Sequence, residues 1–355
     1  MVIKEIGSEF DWQSNEPFQT ERQTNRFDCE NIFYFRSGRD ALKAIARACT
    51  PKTTTVLLPA LSCESMVSPF LMNGYDVLFY KLNPDYTIDQ KDLESKMQKG
   101  CLFLYMAYFG IEPINSQTLK AIKERFSAVL IEDRTQNALH EIQQPVVADF
   151  IVISVRKWLA IPDGGFLVSQ EPIEIGAEKE GFFAATRERA MKLKSEYLKK
   201  GDQNKKEQFR SLLNQANDVL DQSEKAFAMA ADSRSKIRAI DFERILKDRQ
   251  NNVHILKQGL YALAYQGKIS FITNQPELST LYFPILVNNR DFVQGELAKA
   301  GIYCPVIWPV PKLAKGICSV ADMTADNMLA LPCDQRYGES EMKFIIEKLN
   351  EIINV

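Results

Sequence analysis

Between about residues 31 and 170, short runs rich in β-forming residues alternate with stretches of helical periodicity. Strands separated by helices need crossover connections, which build a mostly parallel sheet with helices on its faces. We therefore predict an α/β fold with a mostly parallel seven-stranded sheet. Ligands of such sheets bind beyond the carboxyl ends of the strands. The predicted strands are residues 32–36, 55–58, 77–80, 101–106, 128–131, 150–154 and 166–169.

The rest of the chain divides into two parts of different composition. Residues 176–260 are rich in Lys, Glu, Gln, Ala and Leu and contain no Pro, so we predict several helices with a break at Gly201 and Asp202. Alternation then returns, with further predicted elements at 280–287, 290–300 and 339–353. We therefore predict a large domain over residues 1–260 and a small C-terminal α/β domain over 261–355.

Composition argues against several classes of protein. Lys and Arg total 44 against 46 for Asp and Glu, and the cations are spread along the chain, so nothing favours a nucleic-acid partner. The first residues lack the apolar run of a signal peptide, and no stretch approaches the roughly 20 apolar residues of a membrane span. Seven cysteines form no CxxC pair and only two histidines are present. We therefore expect a cytoplasmic protein with reduced thiols and no metal site.

The clearest cluster of functional features is the segment FIVISVRKWLAIPDGGFLVS, residues 150–169. A buried strand ends, Lys157 follows closely, and a Pro-Asp-Gly-Gly turn leads into another strand. A catalytic lysine that forms a Schiff base needs such a rigid position, where desolvation or a nearby cation lowers the pKa of its amine. The alternative is a solvated lysine at a strand end, followed by an ordinary Gly-Gly hairpin.

An acidic pair, Glu132 and Asp133, follows the apolar strand that ends at Ile131. Pyridoxal phosphate needs a carboxylate against its pyridine nitrogen, because the protonated ring accepts electrons from a substrate carbanion. Asp133 has the chemistry and the position for that partner. A cap on the following helix is the alternative role for Asp133.

A third strand runs into Ser37, Gly38 and Arg39, where a helix begins. The backbone N–H groups of a helix start, with the helix dipole behind them, suit a phosphate, and Arg39 would add a cation. An ordinary N-cap is the alternative role for Ser37. Together the three strand ends would surround one ligand, pyridoxal 5′-phosphate, with partners for its phosphate, ring nitrogen and aldehyde.

These motifs resemble those of the DegT/DnrJ/EryC1/StrS aminotransferases, which use pyridoxal phosphate, make amino sugars and have the aspartate-aminotransferase fold, called fold type I. The likeness runs thinly over nearly the whole chain. The matching residues are Ser37 and Gly38 with Ala41 and Leu42 for the SGT-x-AL phosphate turn, Asp133 with Gln136 for the E-D-x-x-Q element, and Lys157 with Gly164 and Gly165 for the K-x6-G-G element.

The resemblance implies roles for further residues. Gln136 would lie beside the cofactor ring, and Ser154 gives an S-x-x-K spacing like that of other aminotransferases of this fold, which adds it to the cofactor-binding candidates. Tyr108 looks like part of the family's strand-end aromatic-Gly turn, and Trp308 like part of its substrate segment. His140, one helical turn beyond Gln136, is a third substrate candidate, with an ordinary helix-face histidine as the alternative.

The chain departs from the family's pattern at several places. Arg39 stands where the family has Thr, and Val152 where it has a serine five residues before the lysine. The family's ring-stacking aromatic is replaced near Ser62. The Gly-Tyr-Asn-x-Arg segment, which in the family reaches into the partner subunit's site, is not recognisable near residues 233–238. The resemblance therefore bears more directly on the cofactor than on the substrate.

We expect a ping-pong aminotransferase in which Lys157 also acts as general acid and base. The amino donor would be an amino acid such as glutamate, and the resemblance implies a nucleotide-linked keto sugar as acceptor. Two alternatives stay open. One is a different pyridoxal reaction on the same fold, such as that of a lyase or dehydrase. The other is a non-catalytic binding or regulatory protein that keeps the fold.

The resemblance also implies a homodimer, because cofactor sites of this fold usually lie at a two-fold interface. An apolar stripe at helical spacing in the long helical region gives a second reason, since a symmetric contact would bury it. Packing of the stripe against its own chain is the alternative. The stripe comprises Leu212, Leu213, Ala216, Val219 and Leu220.

Overall fold

The computed structural model describes residues 5–12, 31–50, 53–140, 146–272 and 280–354. Its strands are β1 (Ile6–Gly7), β2 (Ile32–Phe35), β3 (Thr55–Pro59), β4 (Asp76–Tyr80), β5 (Leu102–Met106), β6 (Val129–Asp133), β7 (Phe150–Ile153), β8 (Gly165–Ser169), β9 (Ile269–Phe271), β10 (Phe283–Val287), β11 (Ile302–Tyr303) and β12 (Met328–Leu331). Its helices are α1 (Gly38–Cys49), α2 (Glu64–Leu71), α3 (Gln90–Lys96), α4 (Ser116–Phe126), α5 (Phe182–Lys200), α6 (Gln203–Gln222), α7 (Ala231–Ile237), α8 (Phe242–Gly259), α9 (Tyr261–Tyr265), α10 (Arg290–Lys299), α11 (Ser319–Asn327) and α12 (Glu339–Ile353).

A seven-stranded sheet in the order β2-β8-β7-β6-β5-β3-β4 forms the centre of the large domain. Neighbouring strands from β4 to β7 are parallel, and β8 is antiparallel to both β7 and β2. Every residue of β3, β5, β7 and β8 is buried, as expected for apolar strands covered on both faces. The predicted fold class, with its mostly parallel sheet, is confirmed.

Short polar residues and one glycine set the helix ends that matter for the site. Ser37 caps α1 by accepting a hydrogen bond from the N–H of Asp40. Gly201 ends α5 in the left-handed conformation, with φ of 74°, and Asp202 caps α6. The predicted break in the helical region therefore coincides with the turn between α5 and α6.

Helices α5 and α6 form a hairpin that covers its own apolar surface. Leu212 and Leu213 of α6 pack into a cluster with residues of α5, and Ala216 and Leu220 pack against Phe183. Ala216 and Leu220 of the predicted stripe are thus buried within the chain, whereas Leu212, Leu213 and Val219 are only partly buried. Helix α5 supplies the apolar partner for part of the stripe, and the subunit contact through the stripe stays a prediction.

A second hydrophobic core lies in the C-terminal part, between the three-stranded sheet β12-β10-β9 and helices α8, α10 and α12. It includes Ile285, Leu297 and Ile345, and it extends back to Val253 and Leu256 of α8. Strand β1 joins this part by pairing in parallel with β11. The proposed domain boundary at residue 260 stays a prediction. Helices long and apolar enough to span a membrane do not occur among the described residues.

Candidate active site

Three strand ends meet at one edge of the central sheet. Strand β2 runs into Ser37, β6 ends at Asp133, and β7 leads directly to Lys157. A cavity of about 680 Å³ opens beside this edge. One wall, the sheet wall, is formed by Thr135, Gln136, Arg156 and Lys157. The opposite wall comes from the N-terminal segment, α8 and the C-terminal part, and includes Ser8, Glu9, Arg249, Tyr282, Asp334 and Arg336.

Lys157 sits in a short 3-10 turn that follows β7. The next residue, Trp158, is fully buried and its indole N–H donates to the carbonyl of Thr135 over 2.7 Å. The Thr135 hydroxyl in turn accepts from the N–H of Ser154 at 3.0 Å. The lysine turn is therefore fixed to the segment after β6. Within the described part of the chain, the Lys157 amine has no hydrogen-bond or ion-pair partner, so it is available to a ligand.

Asp133 lies buried at the end of β6, 7% exposed. Burial raises the pKa of the Asp133 carboxyl, while a hydrogen bond from the Thr135 N–H at 2.8 Å and the charge of Lys157 oppose that rise. The bond to Thr135 is a local turn contact, related to the capping role that was the alternative. A buried carboxylate gains more from a cationic partner than an exposed one does. The site therefore suits a protonated ring nitrogen.

Gln136 has one half of its amide paired and the other half open. Its Oε1 accepts from the N–H of Phe109 at 2.7 Å, which fixes the side chain to the turn after β5. Its Nε2 is buried, since the residue is only 3% exposed, and it has no partner among the described residues. A buried donor left unpaired costs about 1–3 kcal/mol, and a ligand oxygen in the cavity would remove that cost.

The start of α1 is in close contact with the end of β7 and the start of β8. A Cβ on Gly165 would lie 2.2 Å from the carbonyl carbon of Ser37 and 2.5 Å from the nitrogen of Gly38, so no side chain fits there. A Cβ on Gly38 would lie 3.2 Å from that of Ser154. The structure thus brings Ser37, Gly38 and Ser154 together. The Ser37 hydroxyl itself donates to the Asp40 carboxylate at 2.5 Å.

The structure does not bring Arg39 to the cavity. Its guanidinium forms an ion pair with Asp221 near the end of α6, and the residue is absent from the cavity lining. The ion pair engages the Arg39 guanidinium in this structure, and a contact of Arg39 with the phosphate stays a prediction. Local sequence patterns cannot reveal this ion pair, because Asp221 is 182 positions away along the chain.

The three substrate candidates fall in different places. Trp308 lines the cavity. Tyr108 is buried behind it, with ring centroids 6.4 Å apart, and its hydroxyl donates to the carbonyl of Leu61. His140 lies in a separate surface depression beside Asp241 and other residues at the start of α8, so the structure does not bring it to Lys157.

The opposite wall of the cavity consists of paired polar groups that sequence reasoning missed. Arg336 makes two hydrogen bonds to the Asp334 carboxylate, at 2.7 and 2.9 Å, and also donates to the carbonyls of Ser8 and Glu9. Arg187, helped by Arg156, lowers the pKa of Glu9 to about 2. These contacts hold the N-terminal segment against the C-terminal part. Glu9 and Arg336 belong to no motif, so only their three-dimensional neighbours identify them.

The groups of the sheet wall, together with Asp133 and the α1 start that contact the same segments, fit pyridoxal phosphate. Lys157 offers an unpaired amine, Asp133 a buried carboxylate, and Gln136 an unpaired amide donor. The start of α1 offers backbone N–H groups in the turn against which Gly165 packs. Each functional part of this cofactor therefore has a chemically suitable partner.

A model of the DegT/DnrJ/EryC1/StrS aminotransferase family matches residues 30–350. Among solved structures, the chain is similar to NtdA from Bacillus subtilis with the bound cofactor PMP, at 16% identity, with 91% of this chain and 73% of that chain covered and a TM-score of 0.64. It is also similar to the PLP form of the putative sugar aminotransferase Spr1654 from Streptococcus pneumoniae, at 14% identity, with 96% and 93% covered and a TM-score of 0.65. At such low sequence identity, this structural likeness shows the fold alone. A search of curated protein sequences found no match.

Proposed function

Because the chain belongs to the DegT/DnrJ/EryC1/StrS aminotransferase family, we propose that this pyridoxal-phosphate-dependent aminotransferase moves an amino group from an amino acid, such as glutamate, to a nucleotide-linked keto sugar in the cytoplasm. The observation that carries the proposal is the set of groups at one sheet edge: the unpaired Lys157 amine, the buried Asp133 carboxylate and the open Gln136 amide. The printed description of Spr1654 as a putative sugar aminotransferase supports the sugar acceptor.

Pyridoxal phosphate, when bound, supplies an electron sink for the carbanion that forms when the donor loses its α-proton. The chain's own residues do the rest. Asp133 would hold the proton on the ring nitrogen, Gln136 would position the ring through its free amide N–H, and Lys157 would hold the cofactor. With the donor bound, the free Lys157 amine would carry the proton from the donor's α-carbon, as general base and then general acid.

The cavity leaves room for substrates beyond the cofactor. It reaches from Lys157 past Trp308 to α10, where Gly295 and Ala298 are part of its lining. Small residues on that helix face leave space for a bulky acceptor, which supports a sugar nucleotide over a small keto acid. We also propose a homodimer, which rests mainly on the family, since α5 packs against part of the α6 stripe.

The first experiment follows the cofactor's visible absorbance in the purified, cofactor-loaded protein. Adding an effective donor, with glutamate tested first, should convert the cofactor to its amine form and yield one keto acid per site. Nucleotide-linked keto sugars should then restore the original spectrum, whereas free keto sugars should do so poorly. Lys157→Ala serves as the matched control and should show neither conversion.

Other outcomes distinguish the alternatives. Release of product without stoichiometric keto acid would indicate a lyase or dehydrase. A protein that binds the cofactor but responds to no amino acid would be a binding or regulatory protein, and the proposed function would be wrong.

A further inference from the structure

Arg156 is a cation of the cavity wall that has no ion-pair partner among the described residues. It precedes Lys157 directly and lines the same wall. Its Nε is buried without a hydrogen-bond partner, and within the described ranges no carboxylate forms an ion pair with it. Two other cavity arginines, Arg249 and Arg336, are held by side-chain and carbonyl oxygens. A guanidinium in a cavity wall is costly unless an anion pairs with it.

The backbone places Arg156 beside the start of α1. Its N–H donates to the carbonyl of Gly164 at 3.2 Å, and the next residue, Gly165, packs directly on Ser37 and Gly38. Two residues earlier, Ser154 lies against Gly38. The Arg156 turn is thus bracketed by the two contacts that fix the α1 start to the sheet.

The charges around Arg156 favour the binding of an anion. Burial and repulsion from Arg187 lower the pKa of Arg156 to about 10, and Arg39 adds to the repulsion. The two nearby carboxylates already have partners, since Glu9 pairs with Arg187 and Asp40 with Arg36. Bringing one more negative charge to this corner would relieve the repulsion among the arginines.

We propose that Arg156 binds a phosphate group, namely the 5′-phosphate of pyridoxal phosphate at the start of α1. A guanidinium can donate two parallel hydrogen bonds to phosphate oxygens, which makes arginine well suited to this contact. Arg156 thereby supplies a cation in the part first predicted for Arg39, whose guanidinium pairs with Asp221. The inference depends on the cofactor and not on the identity of the acceptor.

Binding of pyridoxal phosphate and of pyridoxal, which lacks the phosphate, to the cofactor-free protein tests the proposal. Arg156→Gln should weaken pyridoxal phosphate binding about 10- to 100-fold, the range of one or two charge-assisted hydrogen bonds, and change pyridoxal binding less than about twofold. Arg156→Lys, which keeps the charge without the fork, should fall between wild type and Arg156→Gln. Arg244→Gln, an exposed arginine on α8, is the matched control and should bind both ligands like the wild type.

Two results would overturn the proposal. Equal weakening of both ligands would mean that Arg156 only shapes the Lys157 turn. An unchanged preference for pyridoxal phosphate, with loss of affinity for a nucleoside diphosphate, would assign Arg156 to the phosphates of the acceptor. Thermal unfolding of the cofactor-free variants controls for misfolding, and if Arg156→Gln is unstable the ligand ratio in Arg156→Lys decides. Because no acceptor is turned over, failure here leaves the proposed aminotransferase activity untouched.

Discussion

The two walls of the cavity differ in how their polar groups are paired. On the sheet wall, Lys157, Gln136 and Arg156 each present a donor that lacks a partner within the described ranges. On the opposite wall, Arg249 and Arg336 are surrounded by acceptors that the chain itself supplies. Open donors cost folding free energy and serve a ligand, whereas paired ones join parts of the molecule. Substitutions on the sheet wall should therefore mainly lower activity, and substitutions on the opposite wall should mainly lower stability.

The largest effect on activity should come from Lys157→Ala. Turnover should fall by about 10³-fold or more, because both the attachment and the proton transfer are lost. Thermal unfolding of the cofactor-free variant should match the wild type within about 0.5 kcal/mol, since the amine makes no contact that the fold needs. Borohydride treatment and peptide mapping check the attachment: a phosphopyridoxyl group on another lysine would contradict the assignment.

Asp133→Asn should lower turnover by about 10²- to 10³-fold, as expected for loss of a preorganised charge. Stability should respond differently. Burial raises the pKa of Asp133 in the cofactor-free protein, so its contribution is fully present below the unfolded value and is lost as the pH rises through the folded value.

The cofactor-free asparagine variant should consequently be at least as stable as the wild type at neutral pH. Its advantage should shrink as the pH falls and the wild-type carboxyl takes up its proton. Thermal unfolding at several pH values measures this. If the variant is clearly less stable than the wild type at neutral pH, Asp133 is needed by the fold and not only by a ligand.

The opposite wall should show the reverse pattern in Arg249→Ala. The guanidinium is 1% exposed and donates to Gln335 and to the carbonyls of Thr280, Leu281 and Trp158. Its loss leaves several buried acceptors unpaired, so the free energy of unfolding should drop by about 3 kcal/mol. Urea unfolding of the cofactor-free protein measures the drop.

Arg244→Ala on the same helix is the control for Arg249→Ala. Arg244 is 68% exposed and its ion pair with Asp248 is long, at 3.9 Å, so the change should be within about 0.5 kcal/mol. Equal effects at Arg244 and Arg249 would remove the distinction between the walls.

The smallest effect should follow Tyr108→Phe. This substitution tests whether a side chain near the site matters for activity when its hydroxyl already has a hydrogen-bond partner. Tyr108 lies near the site, but its hydroxyl is already paired with the Leu61 carbonyl. We expect turnover within about twofold of wild type and a stability loss of about 1 kcal/mol. Steady-state kinetics with a large fall in turnover would restore Tyr108 as a substrate residue.

The central sheet could be predicted from the sequence because its strands are buried on both faces. Continuous runs such as those of β5 and β7 are unlike any neighbouring segment, so their predicted ends fall within one or two residues of Leu102–Met106 and Phe150–Ile153. The positions of Asp133 at the end of β6 and of Lys157 after β7 could therefore be predicted with similar accuracy. Two-residue strands such as β1 have no periodicity to detect.

What the sequence could not show are pairings between distant segments. The partner of Arg39 lies on α6, and helix α5 packs against part of the α6 stripe. The Arg156 Nε is unpaired, and the nearby Glu9 carboxylate instead pairs with Arg187, which is 178 residues away along the chain. Local patterns identify which residues have the right chemistry, and only the packed hairpin and N-terminal segment decide which of them stay open to a ligand.

Gly165 also sets the length of ligand that the site accepts. Because it packs against Ser37 and Gly38 without a side chain, the segment that carries Lys157 and the start of α1 cannot slide past each other. A molecule that must reach both the lysine amine and the α1 turn therefore meets a fixed span. Cofactor analogues with one methylene more or fewer between ring and phosphate should be discriminated by length alone. Gly165→Ala should alter that selectivity, because its Cβ would displace the Ser37 and Gly38 backbone.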